Sequence, residues 1–178
     1  AYTGEVSLPM VKEFGVSYVL VGHSERRALY AEDDAQVAAK YVAIQAAQLT
    51  PILCVGETLE QRKQGLTLSV VTGQIQAVID AAGGASFANA VIAYEPVWAI
   101  GTGLTASPGE AQEVHRAIRA HIASVALEQA SGLKILYGGS VTATSAEELF
   151  AQADIDGGLV GGASLTADSF LAIGQAAK

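Results

Sequence analysis

Glu95 occupies a position at which a carboxylate could act as a base. It follows the apolar run Val91–Tyr94 and precedes Pro96, so it ends a predicted strand. A carboxylate that loses its hydration at such a point suits a general base, although a lone glutamate can also cap a turn. The next segment, 96–103, is apolar and ends in a pair of glycines. Exposed Val, Trp and Ile side chains need a surface to cover, so the segment is expected to be a closing lid or a rigid loop packed on the rim.

His23 follows another apolar run and precedes a helix-like stretch that begins at Ser24. The positive end of a helix dipole disfavours an imidazolium ion, so we expect a neutral imidazole that can donate a hydrogen bond. A structural histidine with satisfied hydrogen bonds is the alternative. His115 and His121 lie six residues apart in a predicted helix, off a common face, and are expected to be solvated. No metal site is predicted.

Two glycine segments follow the last two predicted strands: 138–140, which ends in Ser140, and the pair Gly161 and Gly162. Glycines ahead of a helix leave backbone N–H groups open to an anion. One such pair could simply make a tight turn, but two in succession favour a phosphate held without Lys or Arg. By contrast, Glu57 is expected to be a helix-start carboxylate and Cys54 a small buried apolar residue.

Short apolar runs alternate along the chain with longer amphipathic stretches, in the order α and then βα five times. The predicted strands are Tyr18–Val21, 52–55, Val91–Tyr94, 135–137 and 159–160, and the predicted helices are 7–14, 34–49, 66–82, 108–128, 145–152 and 166–177. Strands alternating with helices predict a parallel sheet, either doubly wound or a (β/α)₈ barrel. In both folds the carboxyl ends of the strands meet on one side, so the polar segments above should converge on one ligand site.

Composition limits the kind of partner that this chain can have. Its 178 residues are 51% apolar and carry a formal net charge of −8, which argues against nucleic acid and against anionic membrane surfaces. The single cysteine cannot form an internal disulfide, which indicates a reducing compartment. No apolar stretch is long enough to span a bilayer, and the first residues do not resemble a signal peptide. A cytoplasmic protein is expected.

Four segments resemble motifs of the triosephosphate isomerase family and occur in the same order as in that family. They read VGHSERR (21–27), AYEPVWAIGTG (93–103), YGGSV (137–141) and LVGGA (159–163). The resemblance implies a homodimeric barrel enzyme without a cofactor, which interconverts D-glyceraldehyde 3-phosphate and dihydroxyacetone phosphate. It implies that Glu95 is the base, that His23 polarises the carbonyl and that 96–103 is the lid. It also implies that the substrate phosphate is bound by Gly101, Ser140, Gly161 and Gly162.

The resemblance also implies that the five strands are the fourth to the eighth of the barrel, so that residues 1–178 form a single partial barrel domain. On this interpretation the first three strands, and the family's Asn-x-Lys segment after the first of them, are absent from the sequence. Residues 1–5 resemble the loop that the family inserts into a partner subunit. Three interpretations follow: part of an ordinary isomerase, an inactive fragment that needs a separate N-terminal piece, or another phosphate-binding barrel enzyme.

Overall fold

The computed structural model describes residues 5–102 and 104–177. Its five strands form one parallel sheet in sequence order. They are β1 (Tyr18–Val21), β2 (Thr50–Val55), β3 (Val91–Tyr94), β4 (Lys134–Tyr137) and β5 (Gly157–Gly158). The α/β class and the parallel sheet predicted from the sequence are confirmed, and the arrangement is consistent with a (β/α)₈ barrel family.

Helices connect the strands, and several begin at a residue whose side chain caps them. They are α1 (Leu8–Lys12), α2 (Ser24–Tyr30), α3 (Asp34–Ala46), α4 (Leu59–Lys63), α5 (Thr67–Ala82), α6 (Pro108–Val125), α7 (Leu127–Gly132), α8 (Ala146–Phe150) and α9 (Ala167–Gln175). Capping boxes begin α3, α4 and α6 at Asp33, Thr58 and Ser107, where each side chain accepts from a backbone N–H group that the helix leaves free. Shorter 3-10 helices span Gly84–Asn89, Val97–Ala99 and Gly162–Leu165. No helix within the described residues is both long and apolar enough to cross a membrane.

The last strand lies two residues earlier than predicted. The apolar pair 159–160 suggested the strand, whereas the ladder pairs Gly157 with Leu136 and Gly158 with Tyr137. Leu159 still donates its N–H group to the Tyr137 carbonyl at 2.9 Å, but β4 ends there and offers no further partner. Backbone pairing therefore places the strand on two glycines, which side-chain hydrophobicity cannot indicate.

The long predicted helix 108–128 is divided in two. Helix α6 ends at Val125, and Ala126 adopts φ −154° and ψ 70° before α7 begins. The Ala126 N–H group still bonds to the Ile122 carbonyl at 2.8 Å, so the first helix closes normally before the chain turns. The apolar stripe of α6 gave no sign of this break.

The core lies between the sheet and the helices that cover it. Both faces of the central strands are buried, as Leu53, Cys54 and Ile92 show, and α3, α5 and α6 bury their apolar stripes beside them. Strand β1 is an edge of the sheet, and its Tyr18 and Leu20 side chains are exposed. The buried interior is thus continuous across the sheet and thins out toward that edge.

Gly56 allows the end of β2 to pass directly against the backbone of Glu95. A Cβ atom at position 56 would lie 1.7 Å from the carbonyl oxygen of Glu95. The amide of Gln74, on α5, completes the contact. Its Oε1 accepts from the Gly56 N–H group at 2.8 Å, and its Nε2 donates to the Gly56 carbonyl at 3.2 Å. Gln74 therefore holds Gly56 in place, and Gly56 packs directly against the backbone of Glu95.

We expect Gly56→Ala to lower the free energy of unfolding by about 3 kcal/mol, because the new methyl group must push two strand ends apart. Gly73→Ala is the matched control. A Cβ atom there meets nothing within 4 Å, and alanine should stabilise helix α5 by about 0.5–1 kcal/mol. Urea unfolding of both variants measures the difference. Equal unfolding free energies would show that the close approach at Gly56 does not exist.

Candidate active site

A cavity of about 510 Å³ lies at the carboxyl ends of the strands. Six residues singled out in the sequence line it together: His23, Glu95, Gly101, Ser140, Gly161 and Gly162. They come from the ends of β1 and β3, from the segment after Glu95, and from the segments that follow β4 and β5. The convergence expected for parallel strand ends is present in the structure.

The Glu95 side chain is buried, with the residue 2% exposed, and both of its carboxylate oxygens have donors. Oε2 accepts from the Ser24 N–H group at 3.0 Å, and Oε1 lies 3.0 Å from His23 Nε2. Gly138 leaves room for this side chain, since a Cβ atom there would lie 2.9 Å from Glu95 Cγ. Burial raises the pKa of Glu95 above its ordinary value, and His23 and the Ser24 N–H group partly oppose that rise. The result is a carboxylate more basic than one on the surface.

His23 has the hydrogen-bond geometry of a neutral imidazole. It is the N-cap residue of α2, and its Nδ1 accepts from the Glu25 N–H group at 3.3 Å. A nitrogen that accepts carries no proton, so the ring proton resides on Nε2, which faces Glu95 Oε1. The helix start thereby fixes both the tautomer and the direction in which the ring donates.

The segment after Glu95 contacts its neighbours at several points. Val97–Ala99 form a 3-10 helix, and the Ala99 carbonyl accepts from Ser140 Oγ at 2.5 Å. The apolar side chains of Val97, Trp98 and Ile100 are half-buried, not exposed as the sequence suggested. Gly101 follows with φ +68°, and Gly103, the last residue of the predicted lid, lies outside the described residues.

Glu57 is not the helix-start carboxylate that the sequence suggested, because its side chain is fully buried. It accepts from the Tyr94 hydroxyl at 3.1 and 3.2 Å and from Trp98 Nε1 at 2.9 Å. Arg62 lies 3.7 Å away, and its guanidinium stacks over the Trp98 ring at 4.4 Å. An indole N–H group that is packed against the fold requires an acceptor, so Trp98 was the one signal in the sequence that could have led to Glu57.

The prediction that His115 is solvated is wrong. The side chain is buried against the sheet, with Nδ1 3.2 Å from the Asp154 carbonyl and the ring edge-on to Tyr94. Burial lowers the pKa of His115 to about 4, so the ring is neutral.

His121 is half-buried. Cys54 is buried as predicted, and burial raises the pKa of its thiol. Within residues 5–102 and 104–177, no group of three or more His, Cys, Asp or Glu side chains could hold a metal ion.

Comparison with known proteins gives one consistent result. The family model described as triosephosphate isomerase matches residues 1–177. A triosephosphate isomerase of Alcanivorax borkumensis is 64% identical over 178 residues, which are 100% of this chain and 72% of that protein. Proteins of the same name from Dechloromonas aromatica and Thiobacillus denitrificans are 63% and 64% identical, and the matches cover 72% and 71% of their lengths and 100% and 99% of this chain. The chain therefore belongs to the triosephosphate isomerase family.

Proposed function

We propose that this chain is a triosephosphate isomerase that interconverts D-glyceraldehyde 3-phosphate and dihydroxyacetone phosphate, in glycolysis and gluconeogenesis, without a cofactor. The relatives supply the reaction, and one observation carries its assignment to this site. A buried carboxylate and a neutral imidazole lie 3.0 Å apart on a cavity that two glycine segments border. That combination suits proton transfer beside the carbonyl of a small phosphorylated substrate.

Glu95 acts as the base in this proposal. The carboxylate removes a proton from the carbon beside the substrate carbonyl, which leaves an enediolate, and then returns the proton to the neighbouring carbon. Since both oxygens already accept hydrogen bonds, the carboxylate must release at least one donor to reach the substrate. Its burial supports the role, because a carboxylate with a raised pKa binds a proton more strongly.

His23 acts on the oxygen atoms in this proposal. The Nε2–H group that faces Glu95 in the structure donates to the carbonyl oxygen when substrate fills the cavity. As negative charge develops there, the imidazole gives that proton to one oxygen and accepts the proton of the neighbouring hydroxyl, so the ring ends neutral. The Glu25 N–H group holds Nδ1 throughout and keeps Nε2 directed at the cavity.

The phosphate group is proposed to bind at Gly101, Ser140, Gly161 and Gly162. Gly161 and Gly162 are exposed at the cavity, and within the described part of the chain their N–H groups donate to no other backbone carbonyl. The lining of the cavity, as far as the structure describes it, includes no Lys or Arg. Free N–H groups at a turn can hold an anion without a basic side chain.

The segment 96–103 is proposed to be the lid that closes on the substrate and excludes water, which protects the enediolate. Trp98 and Ser140 support this role because they attach the segment to two neighbours, Glu57 and the turn after β4. The Val97 N–H group also donates to the Glu57 carbonyl at 3.1 Å, and Arg62 stacks on Trp98. None of these contacts belongs to the strand ladder, so the segment can change partners without unfolding the sheet.

We further propose that residues 1–178 form a single domain in which β1 to β5 are the fourth to eighth strands of a (β/α)₈ barrel. The parallel order and the continuous core support this assignment. A cytoplasmic location is also proposed, because the single cysteine indicates a reducing compartment. Nucleic-acid and membrane partners are not proposed, because the chain is acidic.

We expect Glu95→Gln to lower kcat/KM by about 10²–10⁴-fold, because glutamine keeps the shape of the side chain but cannot accept the proton. The assay follows conversion of D-glyceraldehyde 3-phosphate. It uses this chain joined to the part of the Alcanivorax borkumensis protein outside the matched region, since the match covers 72% of that protein.

Glu148→Gln is the control for that measurement, because it makes the same chemical change at an exposed position on α8. It should leave kcat/KM unchanged. Equal activity in both variants would remove Glu95 from its assigned role. The 178-residue chain assayed alone tests separately whether activity needs the Asn-x-Lys segment that the family resemblance places before β1.

We expect Trp98→Phe to lower the free energy of unfolding by about 1.5–3 kcal/mol, because the buried Glu57 carboxylate loses a donor while the aromatic packing remains. Urea unfolding measures the loss. In a Glu57→Gln background the same substitution should lower the free energy of unfolding by much less, since the indole then has no buried carboxylate to stabilise. Equal costs in the two backgrounds would contradict the bond.

A homodimer is the proposed assembly. The resemblance assigns residues 1–5 to the contact, but 1–4 lie outside the described residues. The described surface offers Leu29 and Tyr30, which are 75% and 64% exposed at the end of α2. An apolar pair of this kind suits a self-complementary contact.

Sedimentation of the joined protein should give twice the mass of one chain, and Leu29→Glu should shift the equilibrium toward the monomer. A monomer at every concentration would contradict the proposed dimer.

A further inference from the structure

Arg27 lies on α2, one turn beyond His23, and its guanidinium binds two parts of the chain at once. Nε donates to the Gly22 carbonyl at 2.8 Å, and Nη1 donates to Asp34 Oδ1 at 2.6 Å. The side chain is 18% exposed. One arginine therefore joins the end of β1 to the first residue of α3, and none of the steps derived above uses it.

The guanidinium packs closely against the Gly22 turn. Gly22 has φ +74°, and a Cβ atom there would lie 3.1 Å from Arg27 Nη2, 2.9 Å from Val37 Cγ1 and 3.1 Å from the Cys54 carbonyl. The guanidinium is thus packed under the turn from which His23 projects. Its bond to the Gly22 carbonyl fixes the peptide that leads into His23.

Arg27 also lies on the side of Glu95 that faces away from the substrate cavity. A second cavity of about 270 Å³ is lined by Glu95, Gly22, Ser24 and Arg27 among others. Among the described residues that line it, Arg27 and Glu95 carry the formal charges. Glu95 therefore separates two cavities, one for substrate and one that contains a fixed cation.

The groups that face Glu95 come from three elements. His23 lies at the end of β1, Ser24, Glu25 and Arg27 lie on α2, and Cys54 lies on β2. His23, the Ser24 N–H group and Arg27 lower the pKa of Glu95, while burial and Glu25 raise it. Of these groups, Arg27 carries a permanent positive charge, which opposes the rise that burial causes in the pKa of Glu95.

We propose that Arg27 is a positioning residue for the proton-transfer pair: its guanidinium holds the peptide before His23 in place and sets a fixed positive charge in the second cavity beside the Glu95 carboxylate. The proposal rests on the proposed function, since it assigns Arg27 to the same site. The two contributions are separable. Lysine retains the charge but has one nitrogen in place of the two that bind the Gly22 carbonyl and Asp34, whereas glutamine loses the charge.

The charge is tested by a ¹³C-carboxyl NMR titration of the joined protein without substrate, with the Glu95 resonance assigned by its loss in Glu95→Gln. Arg27→Gln should raise the pKa of Glu95 by about half a unit or more, because a nearby cation is removed. Arg27→Lys should leave it close to the original value. Arg26→Gln is the matched control, since Arg26 lies next in sequence but pairs with Glu32 and Glu5 instead.

The positioning role is tested by kinetics. Arg27→Lys should lower kcat by about ten- to a hundredfold with KM little changed, because a loosened turn misplaces the His23 ring after substrate has bound. Asp34→Ala, which removes the acceptor of Nη1 and leaves the charge of Arg27 in place, should lower kcat in the same direction. Thermal unfolding checks that each variant is folded, and the two charge-retaining variants carry the test if Arg27→Gln does not fold.

Two results would overturn the proposal: the same Glu95 pKa in Arg27→Gln as in Arg26→Gln, or an unchanged kcat in Arg27→Lys. Failure of the proposed function looks different, because then Glu95→Gln would match the parent protein in activity. The titration needs no turnover, so it reports on Arg27 in either case.

Discussion

A carboxylate that is 2% exposed has lost most of its hydration, and Glu95 is stabilised as a carboxylate by groups that the fold must deliver to it. A backbone N–H group comes from the first residue of α2, an imidazole N–H group from the residue before it, and a guanidinium charge from one turn further on. All three depend on α2 starting directly after β1. The placement of this short helix is therefore as much a part of the site as the glutamate itself.

Glycines make this arrangement sterically possible. The backbone of Glu95 passes so close to Gly56 that a methyl group would overlap it, and the side chain occupies the space that a Cβ atom would need at Gly138. The strand ends on both sides of β3 are thus without side chains at the level of the carboxylate. Other glycines at the rim, such as Gly161, are in open space, and there the missing side chain gives access to backbone N–H groups instead.

The sequence was sufficient to predict the alternation of strands and helices and the convergence of His23, Glu95, Ser140, Gly161 and Gly162 on one cavity, because both follow from apolar runs and from the direction of parallel strands. Gly101 came only from the family resemblance. It was insufficient where a contact joins distant segments. The burial of Glu57 depends on Tyr94 and Trp98, 37 and 41 residues away. His115 was predicted to be a surface residue because its hydrogen-bond partner, the Asp154 carbonyl, lies 39 residues further along the chain. Strand β5 was misplaced because backbone pairing on two glycines has no side-chain signature.

Tyr94 and Glu95 are consecutive residues, yet their side chains point in opposite directions from the end of β3. The Tyr94 hydroxyl donates to Glu57, and the Glu95 carboxylate lines the cavity. This arrangement restricts how the sequence can change over evolution. A substitution at Trp98 that removes its N–H group leaves a donor missing at Glu57, and an apolar residue at position 57 removes the acceptor of both aromatic side chains. We expect positions 57, 94 and 98 to change together among related sequences, although none of them lines the cavity of about 510 Å³.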